Sequence, residues 1–408
     1  MKHSGPQTRS VGFLQWLNFF IADVQTGLGP FVAAYLASSG WSPESVGFAL
    51  TFGGLVTVAM QTPAGAVIDA TRRKRLLLMT SLGVLVCGAI LLMRRPNVAS
   101  VYGAQFLIGG AAPFLMPTVA AITLGIVGNT DFDWQFGKNQ AFNSAGNVLT
   151  AILIAWGSYR FGYRAIFVLA ILFTIPAAFC VLGIDDKQID YARARGFSGV
   201  SDGATAEGLS ELLKDRVLLY FLLAVFLFHL ANAAMLPELG EMLSRNNPRA
   251  AAPFMSACII VTQVVIAISA AWLGRQASTK GRKPLLLYGF GVLPVRGVLY
   301  TLVHPAVLLI AIQTLDGIAN AIFVVVAILV VKDRTRGTGR FNLAAGALAT
   351  TVGVGAALSN TMGGLLIQRL GYRASFLGLA GVAVVAFCLL CFAVPETLPK
   401  RAEIAAQT

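Results

Sequence analysis

The chain has 408 residues, 56% of them hydrophobic and only 12% charged, about half the charged fraction of a soluble domain. That balance excludes an ordinary soluble enzyme and points to a membrane protein. The formal charge of +13 does not indicate nucleic acid, because most Lys and Arg fall in short gaps between apolar runs, as topology signals do, rather than on one soluble face.

A helical crossing needs about 20 mostly apolar residues. On that rule the first half contains six spans, over 11–36, 45–68, 76–93, 100–127, 140–158 and 164–184. The first run is longer than a signal-peptide core, is interrupted by Asp23 and has no clear cleavage site, so no cleavable signal is expected. The second half contains six more, over 217–243, 251–273, 284–303, 305–331, 341–368 and 374–394. Gly and Pro interrupt several runs, which leaves re-entrant pieces as an alternative. Membrane β-strands are excluded by run length and by the lack of apolar/polar alternation. Between the halves, residues 185–216 are rich in Asp, Lys, Arg, Gly and Ser; that composition predicts a solvated linker, with a short surface helix over 204–214. The organisation is thus an amino-terminal bundle (1–184), a cytoplasmic linker (185–216) and a carboxy-terminal bundle (217–408).

With the amino terminus inside, cytoplasmic segments hold 22 of the 31 Lys and Arg, so both termini are expected in the cytoplasm. Five cysteines, all within apolar runs, show neither a disulfide framework nor zinc spacing.

Ionisable groups at membrane depth are expensive and usually face a cavity. Asp23 lies near the middle of the first span, with Asn18, Gln25 and Thr26 nearby. A carboxylate in low dielectric holds its proton more tightly, so Asp23 is the candidate for proton coupling; the alternative is a neutral acid bonded to a neighbouring helix. In the seventh span His229 and Asn232 share a helix face. Asp316, with Asn320 one turn on, reads either as a cavity residue or as an interhelical contact. Arg296 reads either as a counter-ion or as a side chain snorkelling from a span end. Glu238 and Glu241 suggest an external gate or a solvated rim. Asn139, Asn143 and Asn147 recur every four residues and line one face of the fifth span. Gln61, Gln263 and Asn360 complete the predicted substrate cavity.

The chain also repeats itself. GAVIDATRRKR (Gly65 to Arg75) returns in outline as GRQASTKGRK (Gly274 to Lys283), and FGYRAIF (Phe161 to Phe167) as LGYRASF (Leu370 to Phe376), both at a shift of 209. Gln105 with Gly109 returns as Gln313 with Gly317. Asp69, followed by four basic residues, can bind the amino end of a helix or pair with Arg73, which makes the loop either a gate or only a positive-inside anchor.

This loop resembles the signature of the major facilitator superfamily of transporters, roughly G-x-x-x-D-R-x-G-R-K. Gly65, Asp69, Arg73 and Lys74 match it; Ala70 and Arg72 depart from it. The second copy keeps Gly274, Gly281, Arg282 and Lys283 but has Ser278 at the acidic position. The resemblance implies an all-α membrane protein of twelve transmembrane helices in two six-helix bundles, working by alternating access. It assigns Gly65, Asp69, Arg73, Lys74, Gly274, Arg282 and Lys283 to a cytoplasmic gate. The family's fourth-span Arg is replaced by Gln105, so no proton relay there carries over. An acid in the first span beside this loop resembles the drug and metabolite efflux branch. The expected function is proton-coupled export of a small organic molecule; proton-symport uptake of a nutrient or siderophore is the alternative, and a non-transporting receptor or scaffold a third. No nucleotide loop, metal constellation or nucleophile–base pair is visible, so no cofactor and no catalysis are expected. The expected partners are substrate, protons and lipid, with no nucleic acid. The expected location is the inner membrane, as a monomer.

Overall fold

The computed structural model describes residues 6–26, 28–94, 96–191, 194, 214–335 and 341–398; within these, the side chains at 6–8, 23–26, 28–30, 129, 130, 133, 270, 271, 274, 275, 278, 341 and 342 lie outside the description. The predicted helix over 204–214 falls almost entirely on residues not described. Among the described residues the regular structure is α-helical, with one short 3₁₀ turn. Lipid offers backbone groups no hydrogen-bond partner, so an apolar chain satisfies them within helices.

The amino-terminal helices are α1 (Pro6–Thr26), α2 (Leu28–Ser38), α3 (Pro43–Ala70), α4 (Lys74–Met93), α5 (Val98–Phe161) and α6 (Arg164–Gly183). The carboxy-terminal ones are α7 (Arg216–Asn232), α8 (Met235–Asn246), α9 (Pro248–Lys280), α10 (Lys283–Leu302), α11 (Ala306–Arg334), α12 (Phe341–Leu370) and α13 (Tyr372–Ala393). They account for twelve spans. The seventh is broken in two, α7 from α8; the first is described as α1 and α2 on either side of residue 27, which lies outside the description. The fourth and fifth run on as α5, with no intervening loop. They are separated by a kink at Gly128, whose φ of 74° suits a residue without Cβ. Ten described helices are long and apolar enough to cross a membrane. Of the other two spans, the first includes residues outside the description, and the fifth carries the predicted Asn face.

Starts and stops follow local chemistry. Ser42 caps α3 by accepting from the Ser45 amide, with Pro43 in the first turn. Asn97 and Ser100 form a capping box at α5. Asp215 caps α7 through the Val217 and Leu218 amides and pairs with Arg334 at 2.7 Å.

Two compact units emerge. Unit 1 is residues 1–201 with 239–257; unit 2 is 202–238 with 258–408. In unit 1, α1, α3 and α4 pack on α5, and α6 packs on α1 and α4. Its core joins Leu14, Leu17 and Ile21 of α1 to Leu78, Leu82 and Leu85 of α4 and to Leu115, Val119 and Ile122 of α5. Gly146 permits the closest approach: a Cβ there would collide with the Phe19 backbone carbonyl of α1. Residues 239–257 belong to this unit because the Ser244 hydroxyl donates to the Ala34 carbonyl at 2.9 Å and Arg245 donates to the Trp41 carbonyl at 2.6 Å.

The segment after α6 departs from the solvated linker expected at 185. Ile189 and Ala194 are buried in the unit 1 core. The Asp185 amide donates to Ser10 Oγ, and the Asp190 amide to the Gly125 carbonyl, both at 3.1 Å. The segment packs closely on α5 because Gly125 carries no Cβ; one built there would sit 3.0–3.1 Å from Asp190, Ile189 and Ala194 atoms.

In unit 2, α7 packs on α12 and α13, and α10 on α11 and α13. Phe228 sits at its centre, with ring centroids 4.5 Å from Phe290 and 5.7 Å from Phe323. Large apolar side chains on the outer faces, such as Ile268 and Phe392, are exposed as bilayer-facing groups would be.

Candidate functional site

In unit 1 the predicted amide face forms a hydrogen-bonded ladder along the second half of α5. Gln135 donates to Asn139 Oδ1 (2.9 Å), and Asn139 donates to Thr123 Oγ1 (3.0 Å) across the kink. One turn on, Asn143 donates to the Asn18 backbone carbonyl of α1 (3.2 Å), and Asn147 to Asn143 Oδ1 (3.3 Å). Asn18 is buried; its amide nitrogen bonds back to the Leu14 carbonyl, and its Oδ1 has no partner. Asn18, Asn139, Asn143 and Asn147 are thus brought together, joined by Gln135 and Thr123, which the four-residue periodicity did not single out. Gln61, in α3, is partly exposed and outside this ladder. The backbone of Asp23 and Gln25 lies in α1, but their side chains are outside the described residues.

Unit 2 holds a buried charged cluster. The Arg296 guanidinium of α10, 1% exposed, pairs through Nη1 with Asp316 Oδ1 of α11, whose side chain is 13% exposed. Nη2 donates to Asn232 Oδ1 of α7 at 2.7 Å. The Thr262 hydroxyl of α9 donates to Asp316 Oδ2 at 3.3 Å. Four helices therefore converge on one ion pair. Snorkelling is excluded for Arg296: with two acceptors inside the bundle, its charge is met there rather than at an interface. Asn320 and Asn360 instead return a hydrogen bond to carbonyls four residues earlier, Asp316 and Ala356, each at 3.1 Å. Gln263 is partly exposed and does not join the cluster. His229 is buried against Phe323, with centroids 4.6 Å apart, and its Nε2 has no partner.

At the ends of the spans, the two copies of the basic loop do related work. Lys74, fully buried, donates to the Ile68 carbonyl at 2.5 Å; Arg282 donates to the Ala277 carbonyl. Arg75 caps the end of α6 through the Val181 carbonyl (3.1 Å), and Lys283 the end of α13 through the Cys391 carbonyl (2.7 Å). The functional match is therefore Lys74 with Arg282 and Arg75 with Lys283, a shift of 208. The shift of 209 had paired Arg73 with Arg282; Arg73 is exposed and makes no side-chain cap at α4. Asp69 is exposed too, and among the described residues its carboxylate neither pairs with Arg73 nor caps a helix. Gly65 lies in the last turns of α3 with open space around it; Gly274 lies in α9, its surroundings outside the description. In unit 2 the capping role falls to Glu396, whose carboxylate accepts the Arg282 amide (2.9 Å) and the Lys283 amide (3.0 Å) at the start of α10. Arg282 also pairs with Asp333 at 3.1 Å.

Glu238 and Glu241 are not a solvated rim. Both are 3% exposed. Glu238 accepts from Ser375 at 3.0 Å in unit 2, and Glu241 pairs with Arg245 at 2.9 Å in unit 1.

The Major Facilitator Superfamily family model matches residues 11–295 and, overlapping, 250–407. The chain belongs to the major facilitator superfamily. It is 38% identical over 398 residues to uncharacterized MFS-type transporters from two strains of Mycobacterium tuberculosis, covering 96% of this chain and 94% of each relative. Among solved superfamily folds, the nucleoside transporter NupG as a mutant superposes with a TM-score of 0.76 at 16% identity, covering 95% of this chain and 99% of that one. A peptide transporter POT mutant gives 0.76 at 13% identity, covering 93% of each. These likenesses carry the fold alone. The protein is a multi-pass membrane transporter, and superfamily membership makes it a secondary one. Among the described residues, the Arg296–Asp316 pair joins two successive spans and lies outside the superfamily loop. Its only signal in sequence is two opposite charges within successive spans.

Proposed function

We propose that this superfamily member is a proton-coupled exporter of a small, hydrogen-bonding organic molecule across the inner membrane, acting as a monomer with both termini cytoplasmic. The observation that carries the reading is the buried Arg296–Asp316 pair. A carboxylate at membrane depth, partly exposed and bound to a sealed guanidinium, has two states of different packing. Ionised, it neutralises Arg296; protonated, it leaves Arg296 to Asn232 alone, which disfavours the same arrangement of α7, α9, α10 and α11. A proton arriving at Asp316 therefore biases the bundle between conformations. Asp23 of α1 is the second coupling carboxylate, one in each half. The α5 amide ladder supplies neutral donors and acceptors, suited to an uncharged polar or amphipathic cargo. Export rests on the similarity of the opening acid and loop to efflux members.

Uptake by proton symport is the second reading, because the same buried pair can couple a proton to movement in either direction. Purified protein in proteoliposomes, with pH gradients of either sign, tests both. Export predicts substrate accumulation on the acidic side; accumulation with the proton gradient selects uptake; no flux with any of a broad metabolite set overturns transport. Asp23→Asn and Asp316→Asn are each expected to abolish accumulation against a gradient while permitting downhill exchange. Gradient-driven accumulation by both variants would refute the coupling roles.

A further inference from the structure

Both α10 and α11 are long and apolar enough to cross a membrane. One face of α10, including Leu286, Phe290, Leu293 and Arg296, is buried in unit 2. The opposite face shows Tyr288 at 62% exposure and Val295 at 53%. That face is not smooth. Leu287, Tyr288, Gly291, Val292 and Val295 of α10, with Leu315 of α11, line a groove of about 310 Å³. Gly291 adds no side chain to fill it. On the α13 side the Phe387 ring closes in, 3.3 Å from where a Cβ at Gly291 would stand. Val295 and Leu315 immediately precede Arg296 and Asp316. The groove therefore runs along the two helices that carry the ion pair, behind the pair itself.

The lining selects an apolar occupant. Its side chains offer one polar group, the Tyr288 hydroxyl, which gives a hydrogen-bonding cargo almost nothing to hold. An empty groove at membrane depth would leave its lining atoms without dispersion partners, and fluid hydrocarbon is at hand to supply them. The dimensions narrow the choice further. From Leu287 to Val295 is eight residues, about 12 Å of helix, so the volume leaves a cross-section of only about 26 Å². A second helix, about 10 Å across, does not enter such a slot, whereas a single hydrocarbon chain does. The volume is about twice that of a cavity that takes benzene, which is room for about a dozen carbons. We propose that this groove is a lipid site that seats one acyl chain of a membrane phospholipid between α10 and α11. The seated chain braces the two helices that carry Arg296 and Asp316. Recognition is of the chain, so head groups are interchangeable. The site is independent of the coupling reading and of the direction of transport.

Photolabelling of the full chain in nanodiscs tests the site without any variant. The probe is phosphatidylglycerol with a diazirine midway along one acyl chain, diluted into phosphatidylethanolamine, and the labelled positions are read by peptide mass spectrometry. Val384 and Val385 of α13, 47% and 57% exposed, are the control: comparable apolar exposure outside the groove lining. Label on residues 287–295 is expected to exceed label on 384–385 about tenfold, because a seated chain dwells where a passing one does not. A phosphatidylethanolamine probe with the same chain should give the same pattern. Equal labelling of the two faces overturns the proposal. Filling the groove gives a second measurement. Delipidated wild type should gain about 2–4 °C more in Tm on adding phosphatidylglycerol than Val292→Phe, whose ring occupies the seat. Leu315→Phe fills the groove from the other wall and serves if Val292→Phe does not fold. An equal gain in wild type and the filled variant also overturns the proposal.

Discussion

Replacing Asp316 by Asn keeps the shape and an acceptor oxygen for Arg296 but removes the carboxylate that pairs with it. Asn232 Oδ1, at 2.7 Å, still accepts from Nη2, so the loss is of charge more than of hydrogen bonding. Stripping one partner from a buried pair costs about 3–5 kcal/mol, and retention of the acceptor places Asp316→Asn near the lower figure. At about 2–4 °C per kcal/mol for a unit of this size, Tm should fall by about 6–12 °C. Pairing Asp316→Leu with Arg296→Met removes both charges together and should recover most of that loss, since well-packed apolar replacements of buried pairs are often neutral or better. Thermal unfolding in detergent, followed by tryptophan fluorescence, measures all the variants. Asp316→Asn within about 1 °C of wild type, or a double variant no more stable than Asp316→Asn, would refute the idea that Arg296 depends on this carboxylate.

Three further perturbations probe other contacts. Gly146→Leu forces α1 away from α5 at the Phe19 carbonyl and should destabilise unit 1 by about 1–3 kcal/mol, visible as a lower Tm and poorer recovery of folded protein. Glu396→Ala strips the cap from α10 and should cost about 0.5–2 kcal/mol, with faster hydrogen exchange at the Arg282 and Lys283 amides as the local signature. Burial, followed by its hydrogen bond to Asp186, holds the Tyr191 hydroxyl above its ordinary value of 10.0. Its contribution to stability is therefore complete below pH 10 and is lost as pH climbs past it, because the unfolded chain ionises first. Alkaline unfolding scans should show that loss in wild type and not in Tyr191→Phe.

The helical spans were legible because each needs only a long apolar run, and the bilayer enforces the rest. The break within the seventh span, and the absence of any loop between the fourth and fifth, were not. They depend on local backbone choices, such as the positive φ of Gly128, that hydropathy does not register. The α5 amides could be placed on one face by periodicity alone, yet their partner Thr123 lies across that kink and could not. Arg296 was ambiguous because its position near a span end fits both burial and snorkelling; only acceptors on α7 and α11 decide between them. Glu396 was invisible for a different reason. It lies 113 residues from the Lys283 amide it binds, and in the other half the acid in the loop itself, Asp69, does no such work.

A practical rule for separating the halves follows from the segment under α5. A break placed at residue 184, where hydropathy ends, would amputate Ile189 and Ala194 from their seats against α5 at Gly125. The amino-terminal fragment would carry a raw apolar scar and aggregate. A scission beyond residue 194 keeps that plug in place, so paired expression of the two fragments should reconstitute function only from the later cut.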